Sequence, residues 1–256
     1  MEQTMNEQNA VRLLPLGDTA WTLEFGDRID PALHARVAGL CDALEGARKR
    51  GQLEAIVDVV PTYRSLTVHY DPSQGDGERL GQALLALAQT SGSATRAGRR
   101  WCIPVCFDED LAPDLDDLAQ AKGMTRESVI ELMTTTSFQV FMIGFMPGFP
   151  YMGGLPAALE MPRLSSPRKA VPARSLAVAG SMCAVYPWES PGGWRLLGRT
   201  PIPMFSAHDE PSPSLLAAGV RVTWQAIDRV QFDAMEAAAQ RGEVARETLL
   251  VKEARA

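Results

Sequence analysis

The sequence lacks the features that mark several large classes of protein. No apolar run in its 256 residues approaches the length that spans a bilayer, so membrane insertion is not expected. Residues 1–10, MEQTMNEQNA, have neither the basic stretch nor the apolar stretch of a signal peptide. We therefore expect a cytoplasmic location, in which the four cysteines of the chain stay reduced.

Motifs that carry catalysis or cofactors are also scarce. None of the three histidines suggests a catalytic triad: His34 is expected on the polar side of a helix, His69 on a strand and His208 in a surface turn. No serine lies in a Gly-x-Ser-x-Gly elbow, and no glycine run ends in Gly-Lys-Ser/Thr, so any ATP must be recognised without a P-loop. Cys102 and Cys106 form CxxxC without a second Cys or His pair nearby, so no metal site is expected.

The charge pattern excludes nucleic acid as a partner. The formal net charge is −6, and the short basic runs 48–50 and 99–100 cannot form a track along a phosphate backbone. Hydrophobic residues make up 46% of the chain and charged residues 22%, which is ordinary for a globular protein of one large or two modest domains. We expect two domains and a small-molecule substrate.

The first half of the chain predicts an α+β domain over residues 1–95. Two short strands are expected in residues 11–25 around a turn at Gly17 and Asp18, with further strands over 55–60 and 64–70. One helix begins at the N-cap Asp30 with Pro31 in its first turn, and a second covers residues 80–88. The order ββαββα favours a compact sandwich of the ferredoxin-like type, followed by a linker at 91–95.

Beyond the linker the pattern becomes mostly β. Two short helices are expected over 115–121 and 126–134, the second capped by Thr125. Strands are predicted over residues 101–107, 140–143, 175–179, 182–186, 196–200 and 220–225, with the spacing of a β-barrel. We therefore predict a barrel domain over residues 96–227. A helix over 232–240 then belongs to a C-terminal extension, residues 228–256.

Two segments rich in glycine, proline and aromatic residues interrupt this pattern. They are residues 139–155, QVFMIGFMPGFPYMGGL, and residues 186–194, YPWESPGGW. Glycine permits backbone angles that other residues avoid and proline fixes φ, so we interpret both segments as loops of one defined shape. Their aromatic side chains would then form the wall of a pocket. The alternative is a pair of tight turns in a β-rich core.

These segments carry a resemblance to a known family. Gly144-Phe-x-Pro-Gly-Phe-Pro-Tyr-x-Gly-Gly-Leu155, followed by Ser190-Pro-Gly-Gly-Trp-x-Leu-x-Gly-Arg-Thr-Pro201, resembles the signature of the KipI or allophanate hydrolase subunit 1 family. That family includes one subunit of the prokaryotic ATP-dependent 5-oxoprolinase (PxpB-like). The resemblance extends over residues 11–225. It implies a cyclophilin-like barrel of the carboxyltransferase C and D type for the second domain.

The resemblance also implies a function. It implies a subunit of a heteromeric amide-cleaving enzyme that uses ATP with magnesium to open 5-oxoproline to glutamate. The implied partners are a homologous larger subunit of the KipA or allophanate hydrolase subunit 2 type (PxpC-like) and a LamB/YcsF-type protein (PxpA-like). No biotin-attachment Met-Lys-Met is present. Two alternatives stay open: a non-catalytic inhibitor of a sensor histidine kinase, and an allophanate- or urea-related amide hydrolase or carboxyltransferase-like subunit.

The predicted binding site combines the two signature segments with a cationic segment between them. Residues 163–174 hold several arginines and a lysine among prolines, and such cations can bind a carboxylate or a phosphate. We favour Arg168 and Lys169 before Arg163, and a solvated loop is the alternative. No catalytic residue is assigned. The predicted substrate-binding residues are Phe145, Pro147, Gly148, Phe149, Tyr151, Arg168, Lys169, Tyr186, Ser190, Gly192, Gly193 and Trp194.

The chain departs from the family at several positions. Family members commonly carry His in place of Met133 and Gly in place of Arg174. They also carry Gln-Thr-Gly in place of Met182, Cys183 and Ala184. The last change removes polar groups from a strand that is expected to face the family's site. Whether this chain supports the same reaction is therefore a separate question from whether it has the same fold.

Overall fold

A computed structural model describes residues 10–94, 99–209 and 212–251. The chain forms two units, residues 1–96 and 97–256. Thr95, the last residue of the predicted linker, lies outside the described residues. Within the described ranges, every helix is too short or too polar to cross a membrane.

The first unit is a four-stranded antiparallel sheet with two helices. Its strand order is β1-β2-β4-β3, so β4 lies between β2 and β3, which flank helix α1 in sequence. This confirms the α+β prediction. Strands β2, β4 and β3 are ordered as in a ferredoxin-like sheet, and β1, from the start of the unit, is the edge strand beside β2. The elements are β1 (Arg12–Pro15), β2 (Ala20–Glu24), α1 (Pro31–Lys49), β3 (Ile56–Pro61), β4 (Ser65–Tyr70) and α2 (Gly77–Thr90).

Helix α1 begins as its sequence predicts, but one of its faces is not the predicted one. The Asp30 carboxylate accepts a hydrogen bond from the Ala32 N–H at 2.7 Å, and Pro31 starts the helix. His34, expected on the polar side, is only 3% exposed. The chain after α2 packs on α1 through Gly92, so α1 is covered on more than one side. Helical periodicity could not reveal this tertiary contact.

The second unit contains a closed seven-stranded barrel, which confirms the predicted fold class. Around the barrel the strands run β10-β7-β6-β13-β5-β12-β9. Strands β5 and β13 are parallel and the other pairs are antiparallel. The barrel strands are β5 (Arg100–Cys106), β6 (Phe138–Ile143), β7 (Pro150–Gly153), β9 (Ser175–Ala179), β10 (Met182–Val185), β12 (Arg195–Arg199) and β13 (Arg221–Ile227).

Helices and a small separate sheet complete this unit. Its helices are α3 (Leu115–Lys122), α4 (Arg126–Thr135) and α5 (Arg229–Gln240), with short 3-10 turns at Ala157–Leu159 and Arg246–Leu249. The Thr125 hydroxyl caps α4 by accepting the Ser128 N–H, as predicted. Strands β8 (Arg168–Val171) and β11 (Ser190–Gly192) form a separate two-stranded antiparallel sheet.

The structure corrects the interpretation of the signature segments as loops. Residues 138–143 and 150–153 are neighbouring barrel strands, and only the turn between them is irregular. Glycine is required inside this hairpin because a Cβ on Gly153 would lie 2.2 Å from the Phe141 ring. Arg168 and Lys169 also lie on a strand rather than in a loop, and Ser190 begins the strand that pairs with it.

The cysteine pair of β5 contributes to packing. Cys106 is fully buried against Leu111 and against Phe232 of α5, while Cys102 is partly buried. Burial raises the pKa of the Cys106 thiol. Among the described residues, no group of three or more His, Cys, Asp or Glu side chains is arranged to hold a metal ion.

Candidate functional site

The two signature segments meet in a group of five rings, here called the aromatic cluster: Phe145, Phe149, Tyr151, Tyr186 and Trp194. Phe149, which is 1% exposed, lies at its centre. Its ring centroid is 5.5 Å from Phe145, 4.8 Å from Tyr151, 5.1 Å from Tyr186 and 6.1 Å from Trp194. Most of these pairs have the edge-to-face geometry that aromatic rings prefer. The structure thus brings together the aromatic residues that the sequence predicted.

The turn between β6 and β7 holds one side of this cluster. Gly144 donates its N–H to the Phe149 carbonyl at 3.1 Å, and Phe149 donates to the Met146 carbonyl at the same distance. Gly148 has φ +79°, and a Cβ there would lie 2.7 Å from the Phe205 Cβ, so only glycine fits. Phe145, at φ +68°, stays 66% exposed, and the neighbouring Pro147 is exposed as well. The turn therefore presents an aromatic side chain to solvent.

The second signature segment closes the back of the cluster. The Tyr186 hydroxyl accepts a hydrogen bond from the Trp194 backbone N–H, and a Cβ on Gly192 would lie 2.3 Å from that hydroxyl oxygen. The Gly193 carbonyl accepts the Leu164 N–H at 2.7 Å, which ties this segment to the cationic segment. Gly192 also pairs with Arg168 across the two-stranded sheet. Glycine at 192 is thus required by the approach of Tyr186.

Both tyrosine hydroxyls of the cluster keep their protons at neutral pH. Burial raises the pKa of Tyr151 and of Tyr186 above the ordinary value. The Trp194 backbone N–H and the positive charge of Arg163 act in the opposite direction on the pKa of Tyr186, and Arg163 does so on the pKa of Tyr151. Neutral hydroxyls can donate hydrogen bonds to an oxygen of a bound ligand.

Arg168 lies against the cluster, but its guanidinium already has a partner. Its Nη2 is 2.6 Å from the carboxylate of Asp114, a residue only 3% exposed, and its Nη1 is 3.5 Å from the Trp194 carbonyl. The other Asp114 oxygen accepts the Leu196 N–H at 2.6 Å. These contacts form a partly buried network that joins β8 to the start of β12 and to the Trp194 carbonyl just before it.

Sequence reasoning missed Asp114. It precedes helix α3 as a typical N-cap residue would, yet its side chain makes no capping hydrogen bond. The carboxylate instead accepts the backbone N–H of Leu196 in β12, which is distant in sequence. A carboxylate that is this deeply buried requires a cation, so the arginines of residues 163–174 were the only available signal.

The other predicted polar residues differ in their surroundings. Lys169 is exposed and has no carboxylate partner within the described ranges. The Ser190 hydroxyl oxygen is buried and has no hydrogen-bond partner in the part of the chain that the structure describes. Ser190 pairs with Val171 at the start of β11.

Arg163 is the cation that faces the aromatic cluster. Its guanidinium carbon lies 5.8 Å from the centroid of the Trp194 ring, within the range of a cation–π contact. The side chain is exposed, and among the described residues it has no carboxylate partner. Its positive charge partly opposes the rise in the pKa of both cluster tyrosines that burial causes.

The positions that depart from the family have structural roles here. Met133 is fully buried in the barrel core. Arg174 has φ +67°, a conformation that favours the glycine found elsewhere in the family, and its side chain pairs with Glu236 of α5 and donates to the Pro201 carbonyl at 3.0 Å. Cys183 is fully buried, and burial raises its thiol pKa, so it remains a neutral thiol.

Comparison with known proteins identifies relatives over most of the chain. The family model described as carboxyltransferase domain, subdomain C and D, matches residues 11–216. The B subunit of 5-oxoprolinase from Bacillus subtilis is 32% identical over 233 residues, which cover 86% of this chain and 94% of that protein. The B subunit of 5-oxoprolinase from Haemophilus influenzae is 38% identical over 173 residues, covering 68% of this chain and 80% of that protein.

A solved structure supports the same relationship. The crystal structure of TTHA0988 matches 81% of this chain with a TM-score of 0.70 and 35% identity. The match covers only 40% of the TTHA0988 chain. In that protein, most of the chain therefore lies outside the part that this chain resembles.

Proposed function

Because the chain belongs to the carboxyltransferase domain family, subdomain C and D, and is homologous to the B subunit of 5-oxoprolinase, we propose that it fills that place in an ATP-dependent 5-oxoprolinase. The observation that carries this proposal is the convergence of both signature segments in one aromatic cluster beside Arg163. The substrate, 5-oxoproline, is a small lactam ring with one carboxylate. We place the enzyme in the cytoplasm.

The aromatic cluster suits a ring of this kind. Tyr151 is partly exposed and offers flat apolar surface beside the nearly buried ring of Trp194, and the two centroids are 5.9 Å apart. The phenol of Tyr151 is neutral at pH 7 and is chemically able to donate to a lactam or carboxylate oxygen. This chain would thus bind and orient the substrate.

The remaining chemistry requires partners. A lactam is unreactive toward water, and phosphorylation of its oxygen by ATP makes its carbonyl carbon open to attack. One ATP and two waters then yield glutamate, ADP and phosphate. Among the described residues no group of three or more His, Cys, Asp or Glu side chains is arranged to hold a metal ion, and the sequence has no P-loop. We therefore assign the nucleotide site to the assembled complex, with the homologous larger subunit and the LamB/YcsF-type protein as partners.

The test is reconstitution. The three proteins are co-expressed and co-purified, and glutamate release is measured with and without ATP and 5-oxoproline. We expect release only when all three proteins and both small molecules are present. Substantial turnover by the purified chain alone would contradict the division of labour, and no release by the complete complex would overturn the assignment.

A second function is favoured by a separate observation. Phe145 is 66% exposed and Trp188 is 49% exposed, and Trp188 contacts Phe205 with ring centroids 6.1 Å apart. Exposed aromatic side chains of this kind are suited to binding another protein. A non-catalytic inhibitor of a sensor histidine kinase would use such a surface. A chain with this function would inhibit autophosphorylation of the kinase, and the complex would release no glutamate. An allophanate- or urea-related subunit would instead turn over allophanate or urea in the reconstituted assay.

A further inference from the structure

We propose that Arg163 selects the carboxylate of the ring substrate, and that Arg168 only positions Trp194. This inference deepens the proposed function and rests on it. This assignment differs from the sequence-based prediction, which favours Arg168 over Arg163 as the residue that binds an anion. The ligand class that follows is a small flat ring with one attached carboxylate.

The first argument concerns the charge of Arg168. Its guanidinium is 2.6 Å from the buried carboxylate of Asp114, so the positive charge is already compensated. A ligand carboxylate would have to compete with Asp114, and Asp114 would then be left buried without its cation. The Leu196 N–H alone would not replace it. Arg168 is therefore a poor anion receptor.

The second argument concerns the position of Arg163. Its guanidinium carbon lies 5.8 Å from the centroid of the Trp194 ring, and its charge, like that of Arg168, favours the ionised form of Tyr186. A guanidinium that rests on an indole is weakly hydrated, and its N–H edge stays free to bind a carboxylate through two hydrogen bonds. No carboxylate among the described residues occupies that edge. A ring held by the cluster would have its carboxylate within reach.

The test compares two ligands that differ only in the carboxylate. The reconstituted complex is titrated calorimetrically with 5-oxoproline and with 2-pyrrolidinone, the same lactam ring without the carboxylate. Glutamate release from 5-oxoproline is measured in parallel. Variants Arg163→Gln and Arg163→Lys are compared with Arg221→Gln, an exposed arginine on β13 that lies outside the cluster.

We expect Arg163→Gln to weaken 5-oxoproline binding at least tenfold and to raise KM more than it lowers kcat. Binding of 2-pyrrolidinone should change less than twofold. Arg163→Lys should recover part of the affinity, and Arg221→Gln should match the wild type. Equal weakening of both ligands, or no change with 5-oxoproline, would overturn the inference.

The two proposals can fail separately. If the wild-type complex binds 5-oxoproline through Arg163 but releases no glutamate, the proposed reaction is wrong and the carboxylate site stands. If it releases glutamate and Arg163→Gln retains the selectivity of the wild type for 5-oxoproline, the reaction stands and the inference is wrong. If the complex binds neither ligand, both proposals are overturned.

Discussion

Two arginines hold Trp194 in different ways. We call the buried side of the aromatic cluster, with Arg168, Tyr186 and Gly192, its base, and the exposed side, with Arg163, its rim. Arg168 reaches the Trp194 carbonyl and pairs with Asp114, whose side chain is 4% exposed. Arg163 lies over the Trp194 ring and is exposed. Buried charges must be paired within the protein, whereas an exposed cation can exchange water for a ligand. The base therefore serves folding, and the rim is available for binding.

The largest effect is expected from Asp114→Ala at the base. This change leaves the Arg168 guanidinium without its carboxylate and the Leu196 N–H without its acceptor. Removing one partner of a buried pair costs about 3 kcal/mol of unfolding free energy. Urea unfolding of the full chain would measure it. Asp117→Ala, an exposed position in the helix that follows Asp114, is the control and should change stability by less than about 0.5 kcal/mol.

An Asp114→Ala variant as stable as the control would break the comparison. Arg168 would then be free to serve as an anion receptor, as the sequence alone suggested. In that case the binding assay should show a loss of 5-oxoproline affinity in Arg168→Ala without any loss of stability.

Local signals in the sequence predicted much of this fold. Asp30 and Thr125 each cap the helix that the sequence assigned to them, and the strand at Ser175–Ala179 has the predicted bounds. Such features depend on residues within one turn or on alternation along one strand, which a sequence displays directly. The aromatic membership of the cluster was also predictable, because glycine and proline marked both segments.

The errors arose where distant residues decide the structure. β7 was missed because its glycines and proline favour a loop, and only pairing with β6 and β10 makes it a strand. His34 is buried on a helix whose Ala35 and Gly39 contact the segment that follows α2. The roles of Arg163 and Arg168 could not be separated from sequence, because the pairing of Arg168 depends on Asp114, which is distant in sequence.

A smaller effect is expected from Gly192→Ala, also at the base. The new Cβ would lie 2.3 Å from the Tyr186 hydroxyl oxygen, so the ring must move and its hydrogen bond with the Trp194 backbone is strained. Overpacking of this kind costs about 1–3 kcal/mol. Gly193→Ala is the matched control, since its nearest neighbours lie at 3.6–3.7 Å. Equal stability of the two variants would show that the base tolerates movement.

Tyr186→Phe should cost about 1 kcal/mol, since it removes the hydroxyl that accepts the Trp194 backbone N–H. The same group predicts a pH dependence. Its pKa is raised in the folded chain, so the folded state holds the proton more tightly and stability falls as the pH rises above about 10. Unfolding measured between pH 8 and pH 11 should show a shallower decline in the variant. An identical decline would mean that Tyr186 ionises as freely as in the unfolded chain.

The smallest effect is expected from Lys169→Ala, because this exposed residue neighbours Arg168 in β8 without sharing its pairing. Its charge is surrounded by water, so its attraction to a ligand carboxylate is screened, and its removal leaves no buried group unpaired. Unfolding free energy should change by less than about 0.5 kcal/mol, and 5-oxoproline affinity by less than about threefold. The measurements are urea unfolding and calorimetric titration of the reconstituted complex. A tenfold loss of affinity with unchanged stability would restore Lys169 as an anion receptor and extend the rim beyond Arg163.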